Sequence, residues 1–215
     1  MVGYTGFDAW VKVLRGNGDG TFVLPGLTVP IPGSDPQPTG VSIGDFNGDG
    51  RLDLAVTDVL QNEVHILLGT GSGFAFGPII PTEDNPAPIA LGDFNGDGIL
   101  DMAVCNLYEN NFSVFAGTGT GIFTLVNTFA TGDGPFAISA GNFDGNQTMD
   151  LVIGNHFGNT ATIWHGTGPF TFVMGATAPT GDGPTFVAIG DFNGDGRMDY
   201  VTGAEYDDTI TVGRQ

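Results

Sequence analysis

Gly44-Asp45-Phe46-Asn47-Gly48-Asp49-Gly50-Arg51-Leu52-Asp53 decides the fold of this chain, because the segment returns three more times. The copies are Gly92-Asp93-Phe94-Asn95-Gly96-Asp97-Gly98-Ile99-Leu100-Asp101, Gly141-Asn142-Phe143-Asp144-Gly145-Asn146-Gln147-Thr148-Met149-Asp150 and Gly190-Asp191-Phe192-Asn193-Gly194-Asp195-Gly196-Arg197-Met198-Asp199. They begin their oxygen-bearing positions at 45, 93, 142 and 191, in steps of 48, 49 and 49. A fixed period of this size is the mark of stacked structural repeats. A second feature keeps the same period: an apolar strand, a glycine turn and an aromatic, as in Leu67-Leu68-Gly69-Thr70-Gly71-Ser72-Gly73-Phe74. Between successive turns the pattern reads as short strands, for one repeat 41–45, 53–59, 63–68 and 74–80, with no helical periodicity anywhere. A four-stranded antiparallel unit of about 40–50 residues cannot bury both faces alone and must stack on neighbours around an axis, so an all-β β-propeller is expected.

Composition agrees with that reading. The 37 Gly and 13 Pro among 215 residues would suggest disorder, but 40% hydrophobic residues including 17 Phe supply a core, so the glycines are turn residues. A formal charge of -19, with 24 acids against 5 bases, repels phosphate backbones and anionic lipid; nucleic acid is not an expected partner, nor is membrane insertion. Cys105 is the single cysteine, which rules out an intrachain disulfide framework and reads as a small buried hydrophobe.

Within each repeated segment, Asp-x-Asn-x-Asp-Gly-x-x-Asp puts side-chain oxygens at loop positions 1, 3, 5 and 9, with the position-7 backbone carbonyl toward the same centre. Hard oxygen ligands in a flexible ring of about six to eight suit Ca2+ better than Mg2+. The expected metal-binding residues are therefore Asp45, Asn47, Asp49, Arg51 and Asp53; Asp93, Asn95, Asp97, Ile99 and Asp101; Asn142, Asp144, Asn146, Thr148 and Asp150; Asp191, Asn193, Asp195, Arg197 and Asp199. Arg51, Ile99, Thr148 and Arg197 would contribute carbonyls only. Position 12 is Val56, Val104, Ile153 or Thr202 rather than Glu, so these are β-hairpin loops and not EF-hands. The third loop replaces two acids by Asn142 and Asn146 and the turn glycine by Gln147, so its Ca2+ affinity is expected to be the weakest.

These segments, with the Leu-Ala-Val or Met-Ala-Val strand that follows and the Leu-Gly-x-Gly-x-Gly-x-Phe turn, resemble FG-GAP or VCBS-type repeats, known from integrin α-subunit propellers and secreted bacterial proteins. The resemblance runs from about Val11 to Val212. It implies calcium in the loops and blades used for adhesion, ligand display or carbohydrate binding.

Residues 40–87, 88–136 and 137–185 are read as full repeats, 1–39 and 186–215 as partial ones. With strands at 9–14, 22–29, 186–190, 200–204 and 209–214 the count reaches 17, one beyond four blades. A four-bladed ring is preferred, in which residues 22–29 complete the C-terminal blade and either 9–14 or 209–214 is left over. The expected function follows from the surplus strand: a secreted or cell-surface, calcium-stabilised structural or adhesion module that self-associates into a filament by strand donation. The alternatives are a calcium-dependent lectin, with Trp10, Trp164, Tyr108 and Tyr206 as stacking platforms, or a fragment of a larger propeller adhesin; the partner would be a second copy or an extracellular protein or glycan. Phe46, Phe94, Phe143 and Phe192 are read as core. Enzyme chemistry is not expected, because His65, His156 and His165 fall in no metal or triad spacing and no serine occupies a nucleophile elbow.

Overall fold

In the computed structural model, which describes residues 2–5 and 8–214, the chain is all β. Among the described residues eighteen strands form five antiparallel sheets, here blades 1 to 5. Blade 1 holds β1 (Val2–Thr5), β2 (Asp8–Gly16) and β3 (Phe22–Ile31). Blade 2 holds β4 (Pro38–Gly44), β5 (Asp53–Asp58), β6 (Glu63–Gly69) and β7 (Phe74–Pro81). Blade 3 holds β8 (Pro86–Gly92), β9 (Asp101–Asn106), β10 (Asn111–Gly117) and β11 (Phe123–Ala130). Blade 4 holds β12 (Pro135–Gly141), β13 (Asp150–Asn155), β14 (Thr160–Gly168) and β15 (Thr171–Pro179). Blade 5 holds β16 (Pro184–Gly190), β17 (Asp199–Ala204) and β18 (Ile210–Gly213). Blades 2 to 5 each start two residues earlier than the repeat boundaries read from sequence.

Burial explains why the second strand of each repeat reads as a continuous apolar run. β5, β9 and β13 are buried along their whole length, since a neighbour covers each face. Leu54 and Val56 join Ala9, Val11, Val29 and Ile31 between blades 1 and 2, while Ala55 points the other way to Phe46, Ile66, Met102 and Val104. Ala103 and Cys105 then meet Leu151, Ile153 and Trp164 between blades 3 and 4, and Val152 meets Tyr200 between blades 4 and 5. The core is thus four layers, each shared by consecutive sheets, and no sheet is stable apart from its neighbours. Cys105 lies inside one layer, fully buried, and desolvation pushes its thiol pKa far up, which leaves it inert.

Two expectations change. β1 adds a strand beside β2, and β3 pairs with β2 rather than with the C-terminal blade. Neither 9–14 nor 209–214 is left over: β2 has partners on both sides and β18 pairs with β17. The blades are of the expected kind, but there are five sheets in sequence order, and ring closure by residues 22–29 is not made among the described residues. Hydrogen bonding to the adjacent hairpin strand satisfies β3 at far smaller loop-closure cost than a partner nearly two hundred residues away.

Candidate metal-binding loops

The four repeated loops each join the first and second strands of blades 2 to 5, all at the same end of their sheets. Gly48 and Gly50 adopt φ of 73° and 80°, Gly96 and Gly98 84° each, and Gly194 and Gly196 77° and 85°. No atom lies within 4 Å of where a Cβ would stand on these six residues, so glycine is required by conformation and not by crowding. The turn folds the chain back until its own N–H groups meet the first carboxylate. Asp45 Oδ1 accepts from the amides of Gly48 (2.8 Å) and Asp49 (3.2 Å), and its Oδ2 from Gly50 (2.8 Å). The same three bonds recur on Asp93, at 2.7, 3.1 and 2.8 Å, and on Asp191, at 2.6, 3.2 and 2.9 Å. The Gly50 amide leads in holding the Asp45 carboxyl below the ordinary range, and Gly196 does the same for Asp191. For Asp93 burial pushes upward, yet Gly98, Gly96 and Asp97 together bring the net shift down.

Positions 3 and 5 continue the pattern. Asn47, Asn95 and Asn193 accept through Oδ1 from Asp49, Asp97 and Asp195, whose own Oδ1 atoms accept from Arg51, Ile99 and Arg197. Positions 1, 3 and 5 are thereby drawn together with their side-chain oxygens accepting from the loop's own amides, and Asn95 and Asn193 also donate through Nδ2 to Asp97 (2.8 Å) and Asp195 (3.0 Å); carboxylate and amide oxygens are the ligand types a hard cation takes. Arg51 adds an exposed ion pair to Asp49 at 3.0 Å, which contributes little.

The carboxylate at position 9 does something the spacing alone did not disclose. Asp53, Asp101, Asp150 and Asp199 are completely buried. Oδ2 of Asp53 accepts from Phe46 N at 2.8 Å and Oδ1 from Gly69 N at 2.7 Å. Asp101 holds Phe94 N (2.8 Å) and Gly117 N (2.9 Å), and Asp150 holds Phe143 N (2.6 Å) and Gly166 N (2.8 Å). One side chain therefore ties the loop, the second strand and the end of the third strand together. Gly69, Gly117 and Gly166 must be glycine for a steric reason, since a Cβ would stand 2.4, 2.1 and 2.3 Å from the carbonyls of Leu52, Leu100 and Met149. Burial raises the Asp101 pKa, Gly117 and Phe94 pull it down, and the charges of Asp97 and Asp93 push it up again. A cation beside those two carboxylates would relieve the repulsion.

The third loop differs as its sequence suggested. Gly145 keeps a left-handed φ of 74°, but Gln147 does not take one. Asn142 accepts from Gly145 N alone, at 2.9 Å, and its Nδ2 donates to the carbonyl of Asn146, so an N–H occupies space that a carboxylate oxygen has in the other loops. Thr148 turns its hydroxyl to the carbonyl of Gly166 at 2.7 Å. His165 approaches instead, with Nδ1 3.6 Å from Asp144 Oδ2 and 3.9 Å from Asp150 Oδ1.

Position 2 links blades. The carbonyl of Phe46 accepts from Gly121 N of blade 3 at 2.8 Å, and that of Phe94 from Phe170 N of blade 4 at 3.0 Å. The Phe46 ring packs edge-on against Phe123 (5.3 Å) and the Phe94 ring against Phe172 (5.7 Å). Phe46, Phe94 and Phe143 are core as expected; Phe192 is not, being 53% exposed, because no described sheet follows blade 5 to cover it. Trp164 is likewise withdrawn from the surface, buried against Phe112 and Phe129. One recurring device escaped the sequence reading. Asn62, Asn110, Asn159 and Asp208 take left-handed φ values of 52–55° in the turn before each third strand. The first three accept through Oδ1 from the backbone N–H groups of Asn85, Gly134 and Gly183 at the entrance to the next blade. The constant period of these residues was the available signal.

A family profile described as FG-GAP-like repeat matches residues 2–56, 54–104, 93–153 and 142–202. No curated protein matches the chain. Solved structures similar to it include a protein from Lactobacillus plantarum (17% identity, TM-score 0.71, 98% of this chain and 62% of that one) and a candidate 6-phosphogluconolactonase from Bacteroides uniformis (15%, 0.70, 100% and 66%). BBS1N in complex with ARL6DN is similar as well (14%, 0.58, 81% and 55%). The chain spans less than two thirds of each of these three structures, and at such identities the likeness concerns the propeller-type fold alone.

Proposed function

We propose, from the premise that this chain belongs to the FG-GAP-like repeat family, that it is a calcium-stabilised structural and adhesion module of a secreted or cell-surface setting, without catalysis of its own. The observation that carries the reading is the triplicated turn at 45–49, 93–97 and 191–195, which gathers acid and amide oxygens at positions 1, 3 and 5 and in the first two cases is bonded through position 2 to the next blade. An ion there would stiffen the joint between blades as well as the loop itself. Four divalent ions would add eight positive charges and bring -19 to -11, easing self-repulsion that opposes the compact state. Cys105 is interior, and His156 is buried against Phe136, Phe157 and Tyr206. Burial of Trp164 weakens the lectin alternative.

Self-association, the partner we favour, rests on blade 5. Among the described residues blade 5 has three strands, and Phe186, Ile210 and Val212 stand exposed on its outer face. One period earlier the same positions are Ala137, Ala161 and Ile163, which lie beneath blade 5. The occupant that such a face suits is another blade of this type, brought by a second copy, and repetition of that contact would build a head-to-tail array.

Calorimetric Ca2+ titration, paired with light scattering in calcium and in chelator, tests both parts. Three or four bound ions and a calcium-dependent rise in mass, abolished by Ile210→Lys, are expected. A chain that binds no calcium refutes the module as proposed; a monomer of unchanged size under both conditions refutes only its assembly.

A further inference from the structure

Asp58, Glu63 and His65 form a second cluster at the opposite end of blade 2, away from the oxygen loop. All three point to the face that blade 1 covers: Val56 and His65 are register partners, as are Asp58 and Glu63. Asp58 is 0% and His65 2% exposed, with Glu63 at the rim. His65 Nε2 lies 3.2 Å from Glu63 Oε1 and 3.7 Å from Asp58 Oδ2. Neither contact is aligned as a hydrogen bond, and both Nε2 and Asp58 Oδ2 are buried with no hydrogen-bond partner among the described residues. Asp58 Oδ1 is fully employed, accepting from Gln37 N (3.0 Å), Leu60 N (3.1 Å) and Gln61 N (3.3 Å), which clamps the carboxylate so that Oδ2 faces the imidazole.

The repeat supplies an internal control. In blade 3 the same places hold Asn106, Asn111 and Ser113, and in blade 4 Asn155, Thr160 and Thr162. Those neutral trios are bonded internally through the asparagine Nδ2, although Asn106 Oδ1 and Asn155 Oδ1 are left buried without a hydrogen-bond partner and Asn111 Nδ2 donates outward to Glu83. Asn106 Nδ2 donates to Asn111 Oδ1 (2.7 Å) and Ser113 Oγ (2.9 Å), and Asn155 Nδ2 to both threonine hydroxyls at 3.0 Å. Ser113 and Thr162 also meet the hydroxyls of Thr128 and Thr177 across the sheet, where His65 has Ile79. Blade 2 replaces a network joined by its amide donor with two carboxylates and an imidazole that share no aligned hydrogen bond, all three aiming a metal-ligating atom at a common centre. A central cation is what such a trio lacks.

We propose that Asp58 Oδ2, Glu63 Oε1 and His65 Nε2 bind a borderline divalent ion of the Zn2+ class, distinct in chemistry from the oxygen loops. Tetrahedral bonds of about 2.0–2.1 Å place neighbouring ligand atoms about 3.3 Å apart, close to the 3.2 and 3.7 Å found here. An imidazole nitrogen selects against Ca2+ and Mg2+, which take oxygen. Entry would be by way of Glu63, where water supplies the fourth ligand.

The test is a Zn2+ titration of the full chain held in millimolar Ca2+, with Co2+ as the optical probe. One equivalent should bind, with the visible spectrum of a tetrahedral nitrogen-and-oxygen site and perturbation of the His65 ring resonances in NMR. Asp58→Asn combined with Glu63→Asn and His65→Ser reproduces the trio of blade 3, and should lose more than about 100-fold in Zn2+ affinity, beyond what an outer-shell change costs. His165→Asn should lose nothing. The inference is overturned if the calcium-loaded chain binds no Zn2+, or if binding vanishes with His165→Asn, which would move the site to the third loop. Should the triple variant not fold, the Co2+ spectrum and the His65 resonances of the unaltered chain decide the matter alone.

Discussion

Replacing Asp101 by Asn separates the two jobs that carboxylates do in these loops. Asp101 is fully buried and accepts from Phe94 N at 2.8 Å and Gly117 N at 2.9 Å. An amide of the same shape keeps one acceptor and turns an NH2 toward the other backbone donor. A hydrogen bond to a charged group contributes about 1.5–3 kcal/mol, and a buried donor left unpaired costs a similar amount. Against this stands the burial that raises the Asp101 pKa, since the neutral side chain escapes that penalty. The net loss should fall near 2 kcal/mol, or about 4–8 °C in Tm for a chain of this size. It should be present in chelator. Asp97→Asn is the contrast, because Asp97 is exposed and bonds only within its loop, to Ile99 N and Asn95 Nδ2. In chelator it should cost no more than about 0.5 kcal/mol. In calcium at 100 times Kd, where one bound ion stabilises by about 2.7 kcal/mol, it should forfeit much of that contribution. Urea unfolding of both variants with calcium and with chelator reads all four values. If Asp101→Asn is no less stable than Asp97→Asn in chelator, the position-9 carboxylate is not the internal tie described above.

Other outcomes follow from the same geometry. Gly69→Ala drives a methyl to 2.4 Å from the Leu52 carbonyl and should destabilise by about 1–3 kcal/mol with or without calcium, measured by thermal unfolding. Converting the third loop with Asn142→Asp, Asn146→Asp and Gln147→Gly should tighten its calcium binding toward that of the other three, seen calorimetrically as loss of the weakest phase. Acid should weaken the calcium-free chain. The folded pKa values of Asp45, Asp93 and Asp191 lie below the ordinary 3.8, so their stabilisation is present above that value and fades as the pH falls through the folded ones. Potentiometric proton uptake on unfolding between pH 4 and 3 checks the sign; proton release would contradict it.

Much of this protein was legible in one dimension, because each repeat solves a local problem. The 48- and 49-residue steps, the left-handed glycines at 48 and 50, the departure of the third loop from the common turn and the limits of the last three strands of blade 2 all depend on contacts within a hairpin or its turn. Those contacts are set by residue type and spacing. Other features depend on which sheet lies against which. Phe192 carries the motif of Phe46 and yet is exposed, since a side chain at an inter-blade joint is core only when a neighbour arrives. The strand at 2–5 was missed because four residues, Val2-Gly3-Tyr4-Thr5, give no pattern until β2 pairs with them. The position-9 aspartates read as ligands, and only the fold brought Gly69, Gly117 and Gly166 within hydrogen-bond reach of them, from sixteen residues away. Sequence alone determined the repeat, its glycine turns and the all-β class; tertiary structure decided that the described residues form five sheets in a row, that β3 stays with β2, and that His65 meets Asp58 and Glu63. The division is physical: turn conformation and strand patterning are properties of neighbouring residues, whereas burial and pairing are properties of surfaces that meet only after the chain has folded.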